Sequence, residues 1–593
     1  MAGFQFSVAP AQGGRDGILW CFVFPEGGAR QETIVRVFFF SERFSTCVPA
    51  SVFTPPPPPR KTRVSRALIA AFGVFLTPWA APVLAGETVT IDFDVAGGVV
   101  GNFTPPYPVV GNFTQPYPVV AWPPSFLPPD GNTVIVNSGT TSGSVIGAAA
   151  LATGSDSATA TGNRVTIGGG IIDGHDGHDD GDVFGGYSQG DSGSATANGN
   201  TVTITSGTVG RLVYGGYSRS YSGSATANGN TVTITSGTVD HLVFGGHSES
   251  SSGSATANGN TVTITSGTTG HVSGGESWNY FGDAATANDN TVTITGGTIN
   301  GTVYGGGSEG YSDSATANGN TVVISGGTIA GNGMNVGSVV GGYAEGGGAG
   351  KSSDATGNTV IITGGALNGN VYGGYSLVDV VDMVDSDRET GRATGNTVTL
   401  AGSPTFDAPP QPWLPTFTNG MIYGGFVGND MPWLVSVTTA IPGADAFSGN
   451  TLNVGTSGLT VNGLHNFENL NFYVPANQTA AQIGAMLTVT GTANLTDGDG
   501  ASAGTRSSRI NVGIAGGASP LRAGDTITLI DAGTLVTNSS LNTTANGQGM
   551  NGVSHTNAQG QTITVLQGVT LKYEFALEAA NNLLTATVTG IGS

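Results

Sequence analysis

Residues 200–229 read NTVTITSGTVGRLVYGGYSRSYSGSATANG, and residues 230–259 follow directly as NTVTITSGTVDHLVFGGHSESSSGSATANG. The phrase Asn-Thr-Val opens each copy and recurs every 30 residues from Asn200 to Asn320; looser copies begin at Asn132, Asn163, Asn358, Asn396 and Asn450. A fixed period of about 20 to 50 residues is typical of repeat proteins, whose units bury a core only by stacking on their neighbours. We therefore predict a repeat array over residues 131–455.

Within each copy the residue types alternate. Residues 201–205 read Thr-Val-Thr-Ile-Thr, and β-branched residues alternating with a period of two indicate a half-buried strand. We expect Val202 and Ile204 to point inward and the threonines to point outward. A second short strand is predicted at 212–214, and a third, weaker one at 223–227.

These strands predict an all-β fold, a parallel β-solenoid (β-helix) with one coil per repeat of about 30 residues. Equivalent residues of successive coils then form ladders, with Val202 over Val232. The recurrent glycine pair, such as Gly215-Gly216, suits a corner that needs a positive φ or a close approach of two backbones. A coil of this length also predicts that the Ser-Gly stretch at 218–224 protrudes as a loop. A β-propeller is the alternative, but its blades need about 40 residues or more and four strands.

The charge balance is strongly acidic. The chain carries 18 Lys and Arg against 39 Asp and Glu, a formal net charge of −21, and after residue 85 the balance is 10 against 35. An acidic surface repels phosphate groups, so we expect no nucleic-acid partner and no anionic membrane partner. Glycine makes up 99 of the 593 residues, but the strict period and the β-branched rows argue against a disordered chain.

Residues 1–59 do not match the rest of the chain, since they hold both cysteines, show no period and end in a run of prolines. We interpret them as an N-terminal extension, either a start site assigned too early or an extended signal. Residues 60–85 follow the order of a signal peptide, with a basic stretch at 60–66, an apolar stretch at 67–76 and small residues before Ala85. We predict Sec-dependent export, cleavage after Ala85 and a mature chain without disulfide bonds.

Two regions flank the array. Residues 86–130 are rich in proline and contain the tandem duplication GNFTPPYPVV and GNFTQPYPVV. This composition indicates an extended lead-in, and a ligand for a proline-binding partner is the alternative. Residues 456–593 lose the strict period but keep alternating β-branched segments, so we predict a β-rich C-terminal region there.

Three segments of that region carry a family resemblance: Leu-Asn-Phe-Tyr at 470–473, Leu-Thr-Val-Thr-Gly at 487–491 and Ala-Gly-Asp-Thr-Ile-Thr-Leu-Ile at 523–530. With the signal peptide and the cysteine-free repeats, they make residues 60–593 similar to the passenger region of bacterial autotransporters, the proteins of type V secretion. The resemblance implies secretion or display at the Gram-negative cell surface. It also implies an adhesin or structural surface protein, with a ligand on a host or another cell.

The same resemblance implies an outer-membrane translocator barrel as a partner. Such a barrel needs many alternating strands of about ten residues with aromatic girdles, and the printed sequence does not contain them. A split or truncated gene, a barrel on a separate chain and a freely secreted relative remain open as alternatives.

The densest polar cluster lies at 173–182 and suggests a metal site. Carboxylates suit Ca²⁺ and imidazoles suit a transition metal. The candidate ligands are His175, Asp176, His178, Asp179 and Asp180. Their spacing fits neither an EF-hand nor a calcium β-roll, so we favour a solvated acidic loop and predict no metal and no cofactor.

Catalysis is the main competing class, because secreted β-helices include polysaccharide lyases and hydrolases. Glycoside hydrolysis needs two placed carboxylates, whereas the outward strand positions here are threonines. Arg211, Asp240 and His271 fall at related repeat positions but differ from copy to copy, and the charged insertion at 379–392 resembles a loop. We therefore predict no catalytic site.

Surface recognition is the third class. Flat Thr-x-Thr rows, such as that of 201–205, occur on ice-binding solenoids, which are a second alternative. The favoured contact surface is the set of exposed loops rich in Tyr, Ser and Gly, because these residues adapt to many partners. The predicted contact residues are Tyr187, Tyr217, Tyr221, Tyr343 and Tyr375.

Overall fold

The chain divides into two compact units, Met1–Lys61 and Thr62–Ser593. The computed structural model describes residues 130–592 except 142, 174–180, 312, 332–336, 348–350, 379–389, 407–419, 430–443, 499–502, 516–518, 546–553, 557–561 and 565–571. Before residue 130 it describes the strands at 4–7, 18–24, 34–38, 88–91, 98–100, 103–104 and 119–120. In the first unit these residues form an antiparallel sheet with Ile18–Phe24 between Phe4–Ser7 and Ile34–Phe38.

The coils between residues 133 and 392 each contain four strands, as residues 201–226 illustrate. The first strand is Thr201–Ile204, the second Thr208–Val209, the third Val213–Ser220 and the fourth Ala225–Thr226. All four pair in parallel with the equivalent strands of the coils on either side. The predicted parallel β-solenoid with a repeat of about 30 residues is therefore confirmed.

The first strands build the hydrophobic core. Val202 pairs with Val232 and Ile204 with Ile234, all four fully buried, while the threonines between them are half-buried. The predicted alternation is confirmed, and burial of each such side chain stabilises the fold by about 1.5 to 3 kcal/mol. The first strands are Thr88–Ile91, Thr133–Val136, Arg164–Ile167, Thr201–Ile204, Thr231–Ile234, Thr261–Ile264, Thr291–Ile294, Thr321–Ile324, Thr359–Ile362, Thr397–Leu400 and Thr451–Val454.

The second and fourth strands are short and close the coil between longer sides. The second strands are Thr140–Thr141, Ile171–Ile172, Thr208–Val209, Thr238–Val239, Thr268–Thr269, Thr298–Ile299, Thr328–Ile329 and Ala366–Leu367. The fourth strands are Ala158–Thr159, Ala195–Thr196, Ala225–Thr226, Ala255–Thr256, Ala284–Thr286, Ser314–Thr316, Ser352–Asp354 and Thr390–Arg392. Their alanines are buried, so the coil is narrow on this side.

The third strand is longer than predicted. Val213–Ser220 runs into the stretch predicted to protrude, and its Ser218 and Ser220 are buried in the coil, so the loop prediction for 218–220 is wrong. Parallel pairing with both neighbouring coils satisfies the backbone of this weakly β-prone stretch. The third strands are Val145–Ile146 with Ala149–Ala152, then Val183–Gly190, Val213–Ser220, Val243–Ser250, Val272–Asn279, Val303–Gly310, Val339–Gly346, Val371–Val378 and Met421–Asn429. Gly98–Val100, Phe103–Thr104 and Val119–Val120 belong to the same sheet.

The glycine pair lies inside the third strand and not at a corner with a positive φ. A Cβ on Gly215 would stand 2.2 Å from the carbonyl oxygen of Gly245, and a Cβ on Gly216 would stand 2.5 Å from that of Ala197. Close approach of backbones, one of the two predicted reasons, therefore requires the pair. Positive φ occurs instead at turn glycines such as Gly229, with φ 63°.

A row of buried asparagines runs along the solenoid where the first strands begin. The backbone N–H and the Nδ2 of Asn200 both donate to Oδ1 of Asn230, at 2.9 and 3.1 Å, and Nδ2 also donates to the carbonyl of Ala160 at 3.0 Å. The row consists of Asn132, Asn163, Asn200, Asn230, Asn260, Asn290, Asn320, Asn358, Asn396 and Asn450. Because each amide bonds to the next, the row holds the coils in register.

The parallel coils continue past residue 455 and end in antiparallel strands. Asn469–Pro475 and Arg509–Ala515 extend the sheet of first strands. Leu583–Gly592 then pairs antiparallel with both Thr526–Val536 and Lys572–Ala580, so these strands occupy the sheet edge that a further coil would otherwise need. The remaining elements are Leu459–Val461, Gly463–His465, Ala485–Asn494, Thr544–Ala545, Ser554–Thr556, Thr562–Thr564 and the helix Ala480–Ile483.

Candidate binding face

The outer side of the third strands forms a continuous surface, here called the aromatic face. A Cβ on either Gly215 or Gly216 would point into the coil, so Tyr214 and Tyr217, before and after the pair, both point outward and their rings meet at 5.2 Å. Parallel register repeats this arrangement as two columns. The first column is Phe184, Tyr214, Phe244, Ser273, Tyr304, Val340, Tyr372 and Tyr423; the second is Tyr187, Tyr217, His247, Glu276, Gly307, Tyr343, Tyr375 and Phe426.

Ring stacking covers most of the ring faces in these columns. Tyr214 stacks between Phe184 and Phe244, with centroids 4.9 and 5.1 Å apart, and Tyr217 stacks between Tyr187 and His247 at 5.3 and 5.4 Å. Such pairs contribute about 0.5 to 1.5 kcal/mol beyond area burial. These rings therefore stabilise the outer side of the solenoid and present mainly their edges to solvent.

The five predicted contact tyrosines do not share one environment. Tyr217 lies in a third strand and is buried, 9% exposed, so its predicted place in an exposed loop is wrong. Tyr187, Tyr343 and Tyr375 are half-buried in third strands. Tyr221 lies in the turn after a third strand and is 42% exposed, with the Arg219 guanidinium 5.0 Å from its ring centroid. Whether these residues bind a partner stays a prediction.

A ring-to-carboxylate pair recurs two residues apart along the third strands. His247 Nε2 lies 3.1 Å from Glu249 Oε1, and the Trp278 indole donates to Glu276 Oε1 at 3.0 Å. The Tyr343 hydroxyl donates to Glu345 in the same way. In the column two residues after the second aromatic column, Glu249, Glu309 and Glu345 supply acceptors, whereas Arg219 and Trp278 supply donors.

The first column is interrupted at Ser273 and Val340, and the second at Glu276 and Gly307. Burial raises the pKa of Glu276, although His247 and the Trp278 hydrogen bond act against this rise. Burial also acts to raise the pKa of Glu249, but the hydrogen bond from His247, with the charges of His247 and Arg219, outweighs it and lowers the pKa. Two carboxyl groups on neighbouring coils thus have pKa values displaced in opposite directions.

Three rings beside this interruption are here called the ring cluster: the half-buried Tyr280 and the exposed Phe281 and Tyr311. They lie in the turns that follow two successive third strands. Tyr280 and Tyr311 stack at 5.2 Å with an interplanar angle of 1°, and Phe281 is 76% and Tyr311 53% exposed. The Tyr311 hydroxyl donates to Glu309 Oε2 at 3.3 Å.

The sequence-based prediction missed the ring cluster because it was based on the residues that the repeat copies have in common. One copy differs from its neighbours at this position. It reads Trp-Asn-Tyr-Phe-Gly at 278–282, where earlier copies read Arg-Ser-Tyr-Ser-Gly at 219–223 and Glu-Ser-Ser-Ser-Gly at 249–253. A ring in place of a serine in a single copy was the available indication of a specialised coil.

Some of the other residues considered for chemistry lie outside the described part of the chain, and two others have partners of their own. The candidate metal ligands His175, Asp176, His178, Asp179 and Asp180 lie outside the described residues, as does most of the insertion at 379–392. Arg211 pairs with Asp182 at 3.4 Å, and His271 Nδ1 accepts from the backbone N–H of Thr302 at 3.0 Å. Within the part of the chain that the structure describes, no group of three His, Cys, Asp or Glu side chains is placed to hold a metal ion.

Two further surfaces are distinct from the aromatic face. On the first strands, Thr201 and Thr203 pair with Thr231 and Thr233, so the predicted threonine rows exist in register; ice binding by them stays a prediction. An open polar cleft of about 500 Å³ is lined by Arg392, Thr394, Gly395, Asp445, Ser448 and Gly449. Arg506 reaches this lining at the Ser448 hydroxyl, 2.7 Å away.

Comparison with known proteins gives no match: no family model fits the chain, and neither a curated protein nor a solved structure matches it. Among the described residues, no helix has the length and apolar character needed to cross a membrane.

Proposed function

We propose that this chain is a secreted or surface-displayed, adhesin-like binding protein of the autotransporter passenger type, without catalysis, and that it binds its partner through the aromatic face and the ring cluster beside it. Export rests on the signal-peptide pattern at 60–85, and the passenger class rests on the family resemblance of residues 60–593. The expected partners are a ligand on a host or another cell and a translocator barrel.

The observation that carries the binding role is the ring cluster. Contiguous exposed apolar side chains are uncommon on a protein surface and mark contact sites, and aromatic residues dominate the energetics of such sites. Here Tyr280, Phe281 and Tyr311 project from turns held between parallel strands, so the cluster is positioned by a rigid sheet. Little ordering entropy would then be lost when a partner binds.

The repeated architecture supports weak contacts made many times. The turn after the third strand recurs once per coil, at the strand spacing of about 4.8 Å, and carries a tyrosine at Tyr221, Tyr280 and Tyr311. Several equivalent contacts on one rigid surface raise the avidity for an extended or multivalent partner without strengthening any single contact.

An adhesion assay with the full chain on beads tests this proposal. Replacing Tyr280, Phe281 and Tyr311 together by serine should lower attachment to epithelial or bacterial cells at least about tenfold, since each ring is expected to contribute like an interface anchor. The matched control replaces Ile171 and Ile591, which are 46% and 40% exposed and lie off this face, by serine. Equal attachment of the cluster variant and the wild type, or no attachment by either, contradicts the proposal.

A secreted polysaccharide lyase or hydrolase is the second candidate, favoured by Glu249 and Glu276. A pair of carboxyl groups whose pKa values are displaced in opposite directions is the usual arrangement of a general acid with its partner. Release of reducing ends from a polysaccharide by the full chain, lost in both Glu249→Gln and Glu276→Gln, would replace the binding proposal by this one. Binding without release in all three proteins supports the non-catalytic role.

A further inference from the structure

We infer that the ring cluster and the neighbouring carboxylates of Glu309 and Glu345 bind a neutral glycan chain. This inference rests on the proposed binding role of the aromatic face. It adds the chemical class of the ligand, which follows from the shape, the hydrogen-bonding groups and the charge of this part of the surface.

The shape of the binding surface is set by the residues at the turn that follows each third strand. Tyr280 and Tyr311 stack on each other, and the equivalent residue of the next coil is Gly347, whose backbone N–H donates to the carbonyl of Gly310. A glycine offers no side chain to cover the second face of the Tyr311 ring, which is 53% exposed. Phe281, 76% exposed, follows Tyr280 directly in the chain. An open aromatic platform of this kind suits the flat C–H face of a sugar ring.

The hydrogen-bonding groups lie next to the platform. Glu309 Oε2 accepts from the Tyr311 hydroxyl, and Glu345, one coil further, accepts from Tyr343. A carboxylate has about four acceptor positions, so the two side chains place several acceptor sites beside the platform. Because Glu309 and Glu345 pair in register, the two acceptors stand about 4.8 Å apart along the axis, which favours an extended chain over a single sugar.

The charge balance argues against ionic ligands. A net charge of −21 opposes anionic polymers. On the other side of the cluster, the Glu249 carboxylate is already paired with Arg219 at 3.3 Å, and Asp313 with Lys351 at 3.1 Å. Because these carboxylates are already paired with basic side chains, they attract a cationic ligand less strongly. A ligand with neutral hydroxyl groups therefore fits better than a basic peptide.

The binding test uses the full chain against immobilised cello-oligosaccharides, chito-oligosaccharides, mannan and dextran, with heparin and polylysine as charged comparators. We expect binding to at least one neutral glycan, weakened at least about tenfold in Tyr311→Ala and less than about threefold in Tyr311→Phe, which keeps the platform. Ile591→Ala is the control and should bind as the wild type does. Binding to polylysine alone, to heparin alone, or equally by Tyr311→Ala and the wild type would overturn the inference.

A cell assay separates this inference from the proposed function. Oxidising the vicinal diols of surface glycans with periodate should abolish attachment of the wild-type chain. Attachment that survives periodate, is lost after protease treatment of the cells and is lost in the ring-cluster variant would overturn the glycan ligand while leaving the binding role intact. Attachment that is unaffected by the ring-cluster variant would contradict the binding role itself.

Discussion

At the residue scale, the buried asparagine row shows how a polar side chain can specify a register. Asn260 is completely buried, and its Oδ1 accepts from the backbone N–H and the Nδ2 of Asn230 at 2.8 and 3.1 Å. Its own Nδ2 donates to Oδ1 of Asn290 at 3.0 Å. A one-residue slip would break these bonds and leave amide groups buried without partners, which costs more than the bonds themselves contribute.

Replacing Asn260 by alanine should destabilise the solenoid by about 3 kcal/mol, because buried groups of Asn230 and Asn290 lose their partners. Asn260→Asp should not restore stability, since an aspartate lacks the donor and brings a buried charge. The control is Asn258→Ala, a half-buried side chain that accepts one bond, from the backbone N–H of Asn288 at 2.7 Å, and should cost about 1 kcal/mol. Urea unfolding measures the difference, and equal midpoints for Asn260→Ala and Asn258→Ala would contradict the role of the row.

His465 makes stability depend on pH. Burial lowers the pKa of His465 to about 4, and its ring stacks on Tyr423 at 5.4 Å. The imidazole of His465 takes up a proton near pH 6.5 in the unfolded chain but only near pH 4 in the folded chain. The stabilising contribution of the neutral ring is therefore fully present above about pH 6.5. This contribution, about 3 kcal/mol at most, is lost as the pH falls from about 6.5 to 4.

His465→Phe keeps the stack and removes the titration, so its unfolding midpoint should fall less than that of the wild type between pH 7 and pH 4. The measurement is the urea midpoint of both proteins across this range. Parallel curves for the two proteins would show that the buried histidine does not contribute to the acid sensitivity.

At the scale of elements, the coil is the unit of structure. Each of its four strands pairs with the equivalent strand of the next coil, and few contacts bypass a neighbour. In a one-dimensional stack, stability is close to a sum of unit terms and nearest-neighbour interfaces. The asparagine row and the glycine pair recur in successive coils, so removal of a whole coil leaves matching asparagines and glycines in its two neighbours.

Deleting residues 230–259 should therefore preserve the fold and shift the urea midpoint little, since Asn200 then meets Asn260 in the same geometry. Deleting residues 230–244 removes the first two strands of the coil and the start of its third strand. This deletion should lower the free energy of unfolding by several kcal/mol. Circular dichroism and urea unfolding compare the two variants. Equal loss of structure in both would be incompatible with a stack of independent coils.

At the scale of the molecule, the charge is large and unbalanced. The 39 acidic and 18 basic residues include few described ion pairs, and exposed pairs contribute about 1 kcal/mol or less. Repulsion between like charges therefore destabilises the folded state. Salt weakens this repulsion, because the Debye length falls from about 30 Å at 0.01 M salt to about 10 Å at 0.1 M.

Raising NaCl from 10 to 150 mM should accordingly raise the melting temperature by a few degrees, and choline chloride should act equally. An additional rise with 1 mM CaCl₂, beyond its ionic strength, would indicate a specific ion site and reopen the question of the acidic stretch at 173–182. A melting temperature that falls with NaCl would contradict the repulsion argument.

The repeat is evident from the amino-acid sequence alone. A period of 30 residues and the alternation at 201–205 determine which side chains face inward, because a one-residue slip would expose Val202 and Ile204. The same identity between copies determines the ladders, since equal side chains recur at equal positions. The fold class, the core rows and the parallel pairing all followed from local pattern.

Only the tertiary structure decided what happens to the weakly β-prone stretch after the glycine pair. Its strand character comes from backbone pairing with two neighbouring coils, which local propensity does not contain, and this pairing buries Ser218, Ser220 and Tyr217. The ring cluster likewise depends on contacts between coils. Tyr280 and Tyr311 are far apart in sequence and stack because parallel register carries the chain through one complete coil between them, so neither residue alone marks the platform that they form.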